Sequence, residues 1–408
     1  MNYFCTYFDH RYLPQGLALH KSLKQHCLSF KLWILCLDST CYRILSALKL
    51  SDVHLIALED FERNDEELLK AKQNRTTVEY YFTCTPSLPL FILNKHSEVD
   101  LITYLDADLF FFADPKPIFD EITDHSIAII AHRFPPSLRS LERHGIYNVG
   151  WLSFKRDKSA FTCLQWWRER CNEWCYDRVE DGRFADQKYL DDWPVRFQNV
   201  VVLRHIGADL APWNIANYQI SAEGNHVWVD DVPLIFFHFH GFKQITRFIY
   251  DANLAKYGVK LSVFVRRNIY EAYIRALLDV TRRVSLLLPN AGLRDSLRGQ
   301  VLQLPQNVSA PSRVIKKKLR WLLSLGKGLL AGKFLVIFKQ EEDPRAAGER
   351  VEKGRVQFAI EAGRVNCFGP GKRSSAWART ESGCWHAKLL SPLPKTSPPV
   401  RRYGETLQ

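Results

Sequence analysis

Over its first hundred residues the chain alternates short apolar runs with longer stretches of helical periodicity, and this pattern restricts the fold more than any other feature. YFCTYF is followed by a helical stretch around QGLALHKSLKQH, then by KLWILCL, a second helical stretch and VHLIAL. Strands joined by helical crossovers pair in parallel, because a strand that returns in the same direction needs a long connection. The expected fold class is therefore α/β, a mostly parallel sheet flanked by helices. LITYL, IAIIA, GWLSF, VVVL and LIFFHF supply further strands, and a helix is expected between Ser159 and Cys175. With 46% hydrophobic residues in 408, the chain can bury a substantial core.

Within that pattern, TYLDADLFFF (103–112) sets Asp106 and Asp108 inside an almost unbroken apolar run. On an extended strand, side chains at i and i+2 point the same way. Two ionised carboxylates about 4 Å apart repel by roughly 4 kcal/mol at an effective dielectric near 20, so a positive group is expected between them. One reading is a pair of strand-end residues capping neighbouring backbone; the other is a divalent cation held by hard oxygen ligands.

Other strand ends carry polar groups as well. TYFDHRYLPQG places Asp9 and Tyr12 in the turn after the first strand, at the carboxyl edge where α/β sheets bind ligands. Asp9 can accept from a base N–H or a ribose hydroxyl, and Tyr12 offers a stacking face. NVGWLSF puts Asn148 and Gly150 just before a strand, and ADQKYLDDW supplies Asp186 and Gln187 in a polar turn. FFHFHGFK ends a strand with His238 and His240 on one face, followed by Gly241 and Lys243. An imidazole suits Mn²⁺, and carboxylates suit Mn²⁺ or Mg²⁺, which makes His238 a candidate third ligand. There is no G-x-G-x-x-G after a strand and no Walker A sequence, so neither a dinucleotide cofactor nor P-loop chemistry is indicated.

The elements T-x-x-D-x-x-Y-x-x-x-G, Y-L-D-A-D, N-x-G, D-Q and H-x-x-G occur in that order over residues 1–250, and in this the chain resembles the GT-A nucleotide-sugar glycosyltransferases, within them the glycogenin-like and bacterial lipopolysaccharide glycosyltransferase-like enzymes. The resemblance implies a metal-dependent, retaining hexosyltransferase that takes sugar from a UDP-sugar donor to a glycan or lipid-linked acceptor. It implies that Asp106, Asp108 and His238 bind Mn²⁺ (or Mg²⁺) at the donor diphosphate, and that Thr6, Asp9, Tyr12, Ala107, Gly150, Gly241 and Lys243 line the nucleotide-sugar. Asn148, Asp186 and Gln187 would surround the transferred sugar. Two departures stand out: YYFTCTPSLPLFIL lacks the basic residue these families place before D-x-D, and GFKQITRF replaces their K-P-W, so that Lys243 comes one place early. A sugar-1-phosphate nucleotidyltransferase and a non-catalytic nucleotide-sugar binding protein are the alternatives. The first lacks its basic, Gly-rich loop here; the second would need no metal.

The net charge of +12 is concentrated in residues 261–340, where the acids are only Glu271, Asp279 and Asp295. This stretch is Leu-rich and reads as helical. IKKKLRWLLSLGKGLLAGKFLVIF (315–338) is too interrupted by Lys327 and Lys333 to span a bilayer. It suits a helix at an anionic membrane surface, or one packed on its own domain. Few stacking aromatics are interleaved with its charges, which argues against nucleic acid. Arg133, Arg139 and Arg143 could face an acidic acceptor or simply decorate a surface loop. The organisation expected is a GT-A domain over 1–260, a basic helical extension over 261–340 and a disordered tail over 341–408, where Pro, Gly, Ser and charge dominate. The N-terminus has no signal-peptide pattern and the ten cysteines form no C-x-x-C pair, so reduced thiols in the cytoplasm are expected, with peripheral attachment to the inner face of the membrane through the basic segment.

Overall fold

The computed structural model describes residues 1–224, 226–246, 248–288, 334–336, 357–361, 364–368, 375–379 and 385–389. A seven-stranded sheet is built from β1 (Asn2–Phe8), β2 (Phe30–Cys36), β3 (Val53–Ala57), β4 (Leu101–Leu105), β6 (Ile127–Ala131), β7 (Tyr147–Lys155) and β8 (Val200–Leu203), in the order β3-β2-β1-β4-β7-β6-β8. All neighbours pair in parallel except β7, which runs against both β4 and β6. This is the α/β, mostly parallel architecture expected of a GT-A fold.

The near-continuous apolar runs have a simple cause, since both faces of the sheet are covered. Along β1, Phe4 and Phe8 pack on one side with Leu32, Ile34, Leu105 and Trp151. On the other side Cys5 joins Trp33, Leu35, Tyr104 and Leu152, under the buried rings of Trp167 and Trp193. Residues two apart share a face, so each strand feeds both cores. The helix Lys158–Glu173 matches the expected one closely: Asp157 caps it by accepting from the Ala160 N–H at 3.0 Å. Its buried positions Ala160, Cys163, Leu164, Trp167 and Cys171 follow the 3.6-residue repeat.

A short strand, β5 (Leu109–Phe111), continues the β4 segment beyond a turn. The chain then forms a small antiparallel sheet of β9 (Ile220–Glu223), β10 (His226–Val229) and β11 (Val232–Pro233) before β12 (Phe236–His238) returns to pair with β5. The register sets His238 opposite Leu109. β13 (Lys243–Gln244) and β14 (Ile249–Asp251) follow as a hairpin.

The basic segment begins as part of this same compact unit. Its helix Glu271–Leu287 buries Tyr273, Ile274, Leu277, Val280 and Val284, with the Phe239 ring stacked on Tyr273 at 3.8 Å. Lys21 ties the helix to the first one through Asp279 at 2.6 Å. Of the expected helix 315–338, residues Phe334–Val336 are instead a strand, β15, antiparallel to β14; residues 315–333 and 337–338 lie outside the described residues. Backbone pairing with β14 has overridden helical propensity there. Within 341–408, expected to be a disordered tail, the described residues are β16 (Gln357–Glu361), β17 (Arg364–Phe368), β18 (Ser375–Arg379) and β19 (Trp385–Leu389), one antiparallel meander in a second unit, Gln340–Gln408. Among the described residues no helix is long and apolar enough to cross a membrane, and Cys5, Cys27, Cys36, Cys41, Cys84, Cys163, Cys171 and Cys175 are buried and free.

Candidate active site

The β4 strand stops at Leu105, and Asp106, Ala107 and Asp108 make the turn into β5. The two carboxylates are therefore not on an extended strand, and the turn rather than strand pleat aims them at one point. Backbone bonds fix both ends of it: the Asp106 N–H donates to Gly150 O at 3.1 Å, and the Asp108 carbonyl accepts from Phe239 N–H at 3.0 Å. The second bond and the β5–β12 register bring in His238, whose Nε2 lies 3.6 Å from Asp106 Oδ2 and 3.2 Å from Asp108 Oδ1. The three ligand atoms fall within 4.8 Å of one another. Burial pushes the Asp106 carboxyl up, against the pull of His238 and together with the charge of Asp108. Burial also opposes the charge on Asp108, but there His238 prevails and holds the carboxyl low.

Gly150 on β7 shows why this position has no side chain. A Cβ there would lie 2.4 Å from Asn148 Oδ1 and 2.9 Å from His238 Nδ1. The Gly150 N–H donates to Asn148 Oδ1 at 2.7 Å. The Asn148 amide nitrogen faces His132 Nε2 at 3.2 Å and Gln187 Oε1 at 3.4 Å, while Gln187 Nε2 donates to His144 O at 3.1 Å. The expected sugar-side amides thus hold one another and the start of β7.

Asp186 is buried, and its carboxyl is pushed up to about 7, chiefly by burial, against a hydrogen bond from the Thr85 hydroxyl and with the charge of Asp106 adding to the rise. Its peptide oxygen accepts from Trp167 Nε1 at 2.8 Å. The Tyr7 hydroxyl lies 3.0 Å from Thr85 Oγ1, and the Tyr104 hydroxyl donates to Asp106 Oδ1 at 2.9 Å. A polar thread of Thr85, Tyr7 and Tyr104 thus links Asp186 to the carboxylate pair. The sequence reading passed over all three, although LITYL already contained the tyrosine.

At the end of β1, Asp9 Oδ1 accepts from the N–H groups of Arg11 at 2.9 Å and Tyr12 at 3.2 Å, forming a tight turn into the helix Leu13–His26. The Tyr12 ring is half exposed, and its hydroxyl is raised by burial, then by the charges of Asp108, Asp106 and Asp9. Tyr12 therefore stands over the same acidic site. Thr6 Oγ1 is buried without a protein partner. Gly241 has φ +68°, and a Cβ there would meet Asn253 Nδ2 at 2.3 Å. His240 lies beside Trp213, and its pKa falls to about 4 through desolvation of the ring, then through the neighbouring His238 and the Lys256 and Lys243 charges, against the pull of Asp108. Lys243 is exposed on β13.

Arg133 does not face outward as a free cation. Its guanidinium donates to the carbonyls of His205 at 3.3 Å, Asp209 at 3.1 Å and Ala208. Arg139 and Arg143 are exposed on the 3-10 helix Pro136–His144. Two open clefts of about 990 and 900 Å³ lie elsewhere, over Phe61, Phe91, Asn94 and Arg168, and none of the site residues lines them.

No family model matches the chain. Among solved structures it is similar to the galactosyltransferase LgtC in complex with donor and acceptor sugar analogs, at 15% identity over 68% of this chain and 95% of that one, TM-score 0.44. It is also similar to the glycosyltransferase GlyE of Streptococcus pneumoniae TIGR4, at 18% identity over 73% of this chain and 64% of that one, TM-score 0.41. In sequence it is 35% identical to the uncharacterised protein YfnD of Bacillus subtilis (strain 168), over 60% of this chain and 79% of that protein, and 37% identical to YfnF of the same organism, over 60% and 82%. At that identity and coverage, the chain belongs to the same family as YfnD and YfnF.

Proposed function

We propose that the protein is a metal-dependent glycosyltransferase that moves a hexose from a UDP-sugar to a glycan or lipid-linked acceptor. The observation that carries this reading is the convergence of Asp106, Asp108 and His238 at the carboxyl edge of the sheet, beside a buried acid, Asp186. Two carboxylate oxygens and an imidazole nitrogen form a donor set that suits Mn²⁺, and Mg²⁺ less well. The cradle at Gly150, which a single Cβ would fill, fits the imidazole into that set. Asp106, Asp108 and His238 would hold the cation, and its contribution would be to disperse charge on the departing nucleoside diphosphate.

The remaining work falls to the chain's own groups. Tyr104 orients Asp106, and the Asp9 turn presents Tyr12 as a stacking face for a base. Thr6 Oγ1, buried and unpartnered, is a free polar atom on β1 for the nucleotide side. Lys243, from β13, supplies positive charge near the diphosphate. Asp186, flanked by Thr85, faces the anomeric carbon of an oxocarbenium-like transition state with retention of configuration. UDP-sugar hydrolysis by the full chain with and without Mn²⁺, over a panel of donors, tests the reading; metal-independent turnover, or none with any donor, sinks it. The anomeric configuration of the product, read by NMR, tests retention.

The same proposal places the protein at the cytoplasmic face of an anionic membrane through the basic segment around Lys316, Lys317 and Lys318. Each cation near such a surface contributes about 1 kcal/mol. Replacing the three lysines by glutamate should release the protein from anionic vesicles while leaving β15 in place, and unchanged sedimentation would remove the membrane from the proposal.

A further inference from the structure

We propose that Asp209 is a positioning residue for His238, holding the imidazole through Nδ1 so that Nε2 faces Asp106 and Asp108. For its effect on a metal this rests on the reading above; its premise is geometric. Asp209 is fully buried, its Oδ1 lies 3.3 Å from His238 Nδ1, and its Oδ2 has no partner. A carboxylate buried only to support backbone would have its oxygens satisfied by N–H groups. The hydrogen bond resolved for this one is directed at the ring.

The loop around Asp209 is built to keep it there. Its backbone is left-handed, φ +54°, a conformation that aspartate tolerates better than most residues. Its carbonyl is gripped by Arg133 Nη2 at 3.1 Å and Asn214 Nδ2 at 2.9 Å. The Asn214 side chain also accepts from Ala211 N–H and donates to His132 O, both at 2.9 Å. On the next residue, the Leu210 carbonyl accepts from His238 N–H at 2.8 Å, so backbone and side chain dock together. The Trp213 ring meets the imidazole edge-on at 5.1 Å, and Gly150 leaves no spare room at Nδ1. With Nδ1 donating to Asp209, Nε2 is the nitrogen turned toward the two turn carboxylates. Partners that fix an imidazole in this way are worth roughly 10–100-fold in metal affinity.

The test uses the full-length protein, with Mn²⁺ titrations followed by the EPR signal of the free ion. We expect the isosteric D209N to bind about tenfold more weakly and D209A about a hundredfold, with D209N retaining the wild-type circular dichroism and melting temperature. H238A is the reference. If H238A loses Mn²⁺ while both Asp209 variants bind as wild type does, or if D209N loses stability but no affinity, the proposal is overturned and the metal site stands. A second readout needs no metal: in the ¹⁵N-labelled, metal-free protein, His238 should show a downfield, slowly exchanging Nδ1–H resonance that is absent from D209A. If the wild type binds no Mn²⁺, the proposed function fails, and this resonance alone decides the role of Asp209. Its persistence in D209A overturns the proposal.

Discussion

Two turns at the carboxyl edge of the same sheet use aspartate in opposite ways. At the end of β1, Asp9 spends Oδ1 on two backbone N–H groups of its own turn. At the end of β4, Asp106 and Asp108 point their oxygens at His238. Backbone donors satisfy a carboxylate permanently and make it part of the fold. A pair of carboxylates held beside an imidazole keeps coordinating capacity and carries mutual repulsion, so its stability depends on what binds. Under the proposed function, the difference separates a residue that shapes the site from residues that would act in it, although both look alike as strand-end acids.

The sharpest way to break this comparison is D108N, which keeps the shape of the turn and removes one charge. Turnover should fall roughly a thousandfold at saturating Mn²⁺, with circular dichroism unchanged; wild-type turnover would place Asp108 with Asp9 as a structural residue. Next in size is the cost of Asp186. Its folded carboxyl titrates near 7, against about 3.9 in the unfolded chain. Between these values the folded protein keeps a proton that the unfolded one has lost, so stability declines as pH rises through that window. D186N should flatten the decline and be more stable at pH 8 by at most about 4 kcal/mol, while losing activity. Thermal melts at pH 5 and pH 8 in chelator check this, and parallel curves for the two proteins would contradict it.

A smaller effect distinguishes the two histidines. H238A should weaken Mn²⁺ binding by roughly a hundredfold, and H240A by less than about tenfold, because His238 Nε2 lies within 3.6 Å of both carboxylates and His240 is not among the residues that converge with them. Calorimetric titration reads both, and equal losses would mean that the pair shares the ion. The smallest effect belongs to the β1 turn, where D9A should cost about 1–2 kcal/mol of stability and leave Mn²⁺ affinity unchanged. A drop in affinity would show that Asp9 belongs with the acting residues after all.

Much of this was legible in the sequence, for identifiable reasons. Strands covered on both faces leave continuous apolar runs, and each of the eight runs that the sequence singled out contains strand residues, although VHLIAL runs on into a helix at Leu58 and only Phe236–His238 of LIFFHF is strand. Asp106, Asp108 and His238 were visible because acids and an imidazole at the ends of apolar strands have few local explanations. Asp209 was not, since GADLAPW has no periodicity and its meaning comes from a ring 29 residues later. Thr85 and Tyr7 were missed for the same reason: their roles lie in a through-space thread that joins three separate elements. Arg133 was misleading because a surface-like cluster of arginines does not reveal which guanidinium turns inward to bind carbonyls. Strand β15 was hidden because a three-residue pairing cannot be told from the end of a Leu-rich helix.

Gly150 has a practical consequence. The space it leaves open is the space in which the imidazole ring sits, so alanine at this position would add one methyl group and subtract no charge, donor or acceptor. Such a protein would keep every reactive group of the site yet be unable to bring them to a common point. It would serve as an inactive reference whose surface and net charge match the wild type, letting losses due to misalignment be distinguished from losses due to missing chemistry.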